Sequence, residues 1–203
     1  LAHGSFIAIG GYATYWAMSV LEVHWIFALP MALLSGVIAG YLFYHLLVRW
    51  MYDNVDFSTN IIIATVALAS LVENIILKGV GPETKRQPFT IPDGFFLSDV
   101  FVPWQTIFTI FLAIAMMITI AYIVSNTKLG YEMRAISQNK DAAQLMGINI
   151  NSSFAKALML AGGIAAISGV LVTGLSQLHP VVGYDTTVKA FIICIIAGLG
   201  NIR

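Results

Sequence analysis

Charge is what this sequence has least of. Of its 203 residues only 10% are Asp, Glu, Lys or Arg, against roughly 25% in a typical soluble domain. Too few ionised side chains are present to cover a folded surface that faces water. The ten basic and ten acidic residues cancel, so there is neither a basic stripe for nucleic acid nor an acidic tail. A single cysteine, Cys194, forbids an intrachain disulfide and leaves no cysteine-based metal cluster. These deficits argue against a soluble enzyme, a nucleic-acid binder and a secreted disulfide scaffold. What abounds is apolar: 59% of residues are hydrophobic, and the mean hydropathy is +0.86. The composition is that of an integral membrane protein.

The few charges divide the chain into uncharged runs at 1–21, 23–48, 57–72, 100–127, 157–184 and 190–202. A helix needs ~20 mainly apolar residues to cross a ~30 Å hydrocarbon core. Four runs reach that length, the third does so if Glu73 is tolerated near its end, and the sixth is short. Runs such as Ile107–Ile123 do not alternate in polarity, which argues against a β-barrel. The pattern predicts helices at 5–21, 25–48, 59–77, 104–124, 154–177 and 187–201. The expected fold is an all-α polytopic transmembrane bundle of about six spans, one domain over 1–203. Gly198 and Gly200 would also suit a short or re-entrant last segment. The opening Leu1-Ala2-His3-Gly4 has no basic region before the first apolar run, so a signal peptide is not expected. That opening, and an end at Arg203 just past an apolar run, lead us to expect a fragment with further helices on both sides.

Two long loops remain. Residues 78–103 contain Pro82, Pro88, Pro92 and Pro103, and residues 125–153 contain Lys128, Arg134 and Lys140. Helices of alternating direction put 49–58 and 125–153 on one side. Near helix ends that side carries six basic residues (Arg49, Lys128, Arg134, Lys140, Lys156, Arg203), the other four (Lys78, Lys85, Arg86, Lys189). The positive-inside rule makes 125–153 cytoplasmic. Trp25, Trp50 and Trp104 fall near predicted span ends, as interfacial aromatics do.

Lipid tails are as apolar as Leu, so spans associate through close backbone approach. Gly36 and Gly40 form a small-xxx-small pair, as do Ala161 with Ala165 and Ala165 with Gly169; Gly10-Gly11 and Gly162-Gly163 add further close-approach points. Helix packing accounts for them, and a glycine face lining a path is the other reading. Ionised groups are costly at the bilayer centre and are functional candidates by default. Glu73 with Asn74, and Lys189, are therefore candidates for a translocation path. Glu73 is expected about a turn from the end of its span, within reach of headgroups or Lys78. Lys189 could instead snorkel or pair with Asp185. His3, His24, His45 and His179 are expected at span ends, and no catalytic or metal-ligating set is recognisable.

The 125–153 loop holds one clear local signal. Asn139 suits an N-cap, Asp141 a first turn, Ala142 to Met146 a helix, and Gly147 a terminator. This predicts a short helix over 139–147, with Asn151 or Ser152 capping the next span. Ala142, Ala143, Leu145 and Met146 would be exposed and would suit a partner's groove or the membrane surface.

Ala142-Ala143-x-Leu145-x-Gly147-Ile148 resembles the coupling loop of bacterial ABC-importer permeases. Leu129-Gly130-x-x-Met133-Arg134-Ala135 resembles the lead-in found in branched-chain amino-acid (LivH-like) permeases. Ala2-His3-Gly4 with Ile9-Gly10-Gly11-Tyr12 is similar to a further segment of that family. So is Pro180-x-x-Gly183 with Lys189-Ala190-Phe191 and Ala197-Gly198-Leu199-Gly200-Asn201-Ile202, where Ala197 replaces the family's first Gly. The resemblance implies a permease subunit without chemistry of its own, in the cell inner membrane, moving branched-chain or related amino acids. It implies a second permease subunit, two cytoplasmic ATPases that bind ATP and Mg, and an extracytoplasmic substrate-binding protein. No cofactor is expected in this chain. Arg134, Asp141, Ala142, Ala143, Leu145, Gly147 and Ile148 would couple it to the ATPases. Other readings are a permease for urea or short amides, an ATP-independent secondary transporter working through Glu73 or Lys189, and a membrane enzyme.

Overall fold

The computed structural model describes residues 3–20, 27–51, 57–87, 94–97 and 100–197. Its helices are α1 (His3–Ser19), α2 (Ala28–Met51), α3 (Phe57–Val80), α4 (Trp104–Asn126), α5 (Lys128–Gln138), α6 (Lys140–Leu145), α7 (Ile150–Leu175) and α8 (Val182–Ala197). The described parts of all six apolar segments expected from the sequence are mainly helical. Among the described residues, four helices are long and apolar enough to cross a bilayer: α2, α3 over Asn60–Val80, α4 and α7. α1 and α8 run for 17 and 16 residues. Inside α2, Tyr44–Val48 forms a π-helical turn, the kind of local insertion that bends a helix.

α7 is the centre of the bundle, and α1 and α2 lie against it. Glycine makes this possible. A Cβ on Gly36 would fall on the Gly162 carbonyl, one on Gly40 on Leu158, one on Gly10 on Ala166, and one on Gly169 on Ile7. Peptide units of neighbouring helices therefore touch, and dispersion over that close seam replaces a hydrophobic drive that lipid cannot supply. Ala165 and Ala166 are fully buried beside it. Phe6 and Phe43 close one side edge-to-face, with ring centroids 5.8 Å apart. Two buried threonine hydroxyls are satisfied within their own helices. Thr14 donates to the Gly10 carbonyl at 2.8 Å and Thr173 to the Gly169 carbonyl at 2.7 Å, as a medium without water requires.

α3 and α4 stand on the flanks. Nothing in the most apolar stretch of α4 is buried, and Phe111, Met117 and Ile118 are among its exposed side chains. Such surface is stable only against lipid or another protein.

Three details depart from the sequence reading. The 78–103 loop contains an antiparallel hairpin, β1 (Gly94–Leu97) with β2 (Val100–Pro103). Lys85 and Leu178 join two connections at that end in an isolated bridge. The 125–153 loop contains a second helix, α5. Trp25, His24, Pro88, Pro92, Gly198, Gly200 and the terminal motif positions lie outside the described residues.

Candidate functional site

The loop between α4 and α7 is built by successive caps. Thr127 ends α4 and starts α5: its hydroxyl donates to the Ile123 carbonyl at 2.6 Å and accepts from Gly130 N–H at 3.4 Å. The chain turns back so sharply that Gly130 rests on the Val124 carbonyl, where a Cβ has no room. The Arg134 guanidinium then donates to the carbonyls of Val124 and Ser125 and lies 4.7 Å from the Tyr131 ring centre. A cation there complements the negative end of α4 and satisfies its terminal carbonyls. The contacts of Arg134 are thus to the end of α4 and to Tyr131 on its own helix. On the other side of α5, Ser153 Oγ donates to Glu132 at 2.7 Å, tying α5 to the first turn of α7.

α6 is closed at both ends. Asn139 Oδ1 accepts from Ala142 N–H at 3.0 Å. Past the C-terminus Gly147 adopts φ +83°. Its N–H reaches the Gln144 carbonyl at 3.0 Å, while Ile148 N–H reaches Ala143 at 3.1 Å. That pair of bonds is a Schellman motif, and it needs the left-handed residue that glycine supplies without strain. Asp141 sits exposed in the first turn, where a carboxylate complements the helix dipole.

The double alanine is divided by this arrangement. Ala142 is exposed, but Ala143 is 5% exposed, not open to solvent as the local sequence suggested. One face of α6 has to lie on the bundle, and Ala143 is on it. The cap of α7 is likewise corrected: Asn149 Oδ1, not Asn151 or Ser152, accepts from Ser152 N–H at 3.1 Å. The helix begins at Ile150, so its cap must precede that residue. What α6 presents outward is Leu145, 89% exposed, and Met146, 84% exposed. Two apolar side chains on a rigid stub form a knob.

The second feature lies among the spans. A cavity of about 300 Å³ is walled by α1 (Gly4, Ser5, Ala8), α3 (Val66 to Glu73) and the start of α8 (Gly183 to Phe191), with Pro180. α1 and α8 meet backbone to backbone at its edge, since a Cβ on Gly4 would overlap the Gly183 carbonyl. The Gly4 and Pro180-x-x-Gly183 motifs, at opposite ends of the sequence, converge here; nothing local in either could have revealed that. Val66 and Phe191 are exposed, so the cavity opens on the flank.

Glu73 lines this cavity and is half-buried. α3 runs on to Val80, which leaves Glu73 roughly 10 Å from the helix end at 1.5 Å per residue. Carrying an ionised carboxylate at the bilayer centre costs on the order of 2.5–3.5 kcal/mol. Of the two partners the sequence offered, headgroups or Lys78, Lys78 forms no ion pair with it. Asn74 points its amide at the Ser70 carbonyl, 2.7 Å away. Lys189 is exposed and does not line the cavity; Asp185 stands 4.0 Å from His179, not beside Lys189. The three polar candidates are therefore not brought together.

The hairpin end carries a polar pocket lined by Lys85, Arg86, Gln87 and Gln177. A hydrogen bond to Glu83 (3.0 Å) and that carboxylate's charge raise the Lys85 pKa above its ordinary value. Gln87 is buried and donates to the Gly11 carbonyl at 3.2 Å, which fastens this loop to α1.

The helical bundle with its membrane-length apolar helices is the fold of a polytopic membrane protein. The family described as "Branched-chain amino acid transport system / permease component" matches residues 1–203, and the chain belongs to that family. Similar proteins include the high-affinity branched-chain amino acid transport system permease protein BraD of Pseudomonas aeruginosa, 22% identical over 99% of this chain and 69% of that protein. The probable branched-chain amino acid transport permease protein LivH of Methanocaldococcus jannaschii is 24% identical over 99% of this chain and 65% of its own length. The chain thus spans about two thirds of these relatives. LivH of Salmonella typhimurium is 26% identical over 42% of this chain. No solved structure matches the chain.

Proposed function

We propose that this chain is a membrane-spanning permease subunit of an ABC importer for branched-chain or related amino acids, in the cell inner membrane. The observation that carries the ATP-driven part is the knob: Leu145 and Met146 stand almost fully exposed on a helix capped at both ends. A cytoplasmic ATPase grips α6, and a second permease subunit and second ATPase complete the assembly. ATP and Mg are bound by those partners. An extracytoplasmic binding protein delivers substrate at the hairpin end. Nucleotide binding moves the docked helices, and the spans respond only insofar as the ATPase holds α6 differently in its two states. A rigid stub transmits such a displacement, whereas a frayed one absorbs it. The names of the similar proteins support the substrate class.

The test is the complete importer in proteoliposomes carrying Ala142→Glu, a change at an exposed position. The variant is expected to insert and purify normally and to lose ATP-driven amino-acid uptake. Uptake that survives unchanged refutes the coupling role of α6, and uptake without any ATPase assigns the chain to ion-driven carriers.

A further inference from the structure

We infer that the cavity between α1, α3 and α8 is a way-station for the transported molecule, in which Glu73 holds the protonated amine of an apolar α-amino acid. The inference rests on the permease reading above and names what that permease recognises. Glu73 lines the cavity with no hydrogen bond or ion pair to another described residue, so a carboxylate there has no counterpart inside the described bundle. Thr187 spends its proton on the Gly183 carbonyl at 2.7 Å and offers the cavity only lone pairs. Ser5 and Ser70 add hydroxyls that can accept. No Lys, Arg or His lines the space.

A carboxylate with hydroxyl oxygens beside it suits a compact donor with positive charge, and an ammonium group provides three N–H bonds. Ala8 and Val66 leave an apolar remainder for a branched side chain. About 300 Å³ is at the small end of ligand cavities, as an amino acid requires. The cavity opens on its flank, so the test uses the complete importer.

Cys194 is exposed and is first removed as Cys194→Ser. A small maleimide then labels Ser70→Cys in the reconstituted importer. Leucine at millimolar concentration is expected to slow labelling, whereas 2-hydroxy-4-methylpentanoate, which lacks the amine, is not. Glu73→Gln should raise the leucine concentration for half-protection tenfold or more, and Glu73→Asp threefold or less. A merely structural Glu73 would change labelling equally with and without leucine. Equal protection by the hydroxy acid, protection by urea but not leucine, or protection unaffected by Glu73→Gln overturns the assignment. So does a Ser70→Cys thiol that never labels, because another segment then fills the cavity. ATP-driven leucine uptake by the unsubstituted importer is measured alongside. Its absence overturns the permease reading itself, while uptake with no Glu73-dependent protection overturns only the cavity assignment.

Discussion

Replacing both Leu145 and Met146 by serine strips the outward face of α6 of its apolar surface and leaves its caps intact. The two side chains are 89% and 84% exposed, so nearly all of that surface is available for burial against a partner. Full burial of a Leu or Met side chain contributes about 1.5–3 kcal/mol, hence about 3–6 kcal/mol for the pair. Ordering the side chains at the interface offsets part of this, so the lower end is the appropriate expectation. At ~1.4 kcal/mol per decade that is a loss of roughly 100-fold in affinity for the ATPase subunits. The fold should not notice, because exposed substitutions away from special features usually change stability by less than ~0.5 kcal/mol. The assay pairs ATPase binding to nanodisc-embedded permease, by biolayer interferometry, with a thermal unfolding midpoint. A change in binding below threefold would refute the docking role. A large fall in the midpoint would show that the knob is part of the core instead.

Gly36→Val places a branched side chain where the Gly162 carbonyl and Ala166 lie. It should destabilise the bundle by about 1–3 kcal/mol, read as a lower unfolding midpoint in mild detergent. Gly147→Ala forces a side chain into φ +83° at a cost of about 1 kcal/mol. Faster amide exchange across α6 and weaker ATP-coupled uptake are the expected results, and unchanged exchange would contradict the capping account. Ala143→Glu should behave unlike Ala142→Glu: Ala143 is 5% exposed, so burying a carboxylate there lowers the yield of folded protein. Equal yields of the two variants would contradict the division of the double alanine.

Much of the fold was legible because the bilayer imposes one solution on a long uncharged run. Ile107–Ile123 has no charge to place and no alternation, and it is helix within Trp104–Asn126. Asn139 and Gly147 were legible as caps because their signals are local: a side-chain acceptor before a helix, and a residue free to take positive φ after it. The hairpin was missed although Phe95-Phe96-Leu97 and Val100-Phe101-Val102 flank Ser98-Asp99, because neighbouring prolines argued for loop. α5 was missed although Leu129, Met133 and Ile136 recur at helical spacing. The burial of Ala143 and the meeting of Gly4 with Gly183 had no local signal. Both depend on which helices end up side by side, and that is decided across more than a hundred intervening residues in the second case.

Where α2 crosses α7, Gly36 meets Gly162 with no side chain between. Interleaved side chains can exchange rotamers and let two helices slide, but bare peptide units have nothing to exchange. The pair is welded, and through Gly10 and Gly169 so is α1. Any rocking of this protein between two states therefore leaves that trio as the stator and takes its travel from α3 and α4, whose sides are greased by lipid.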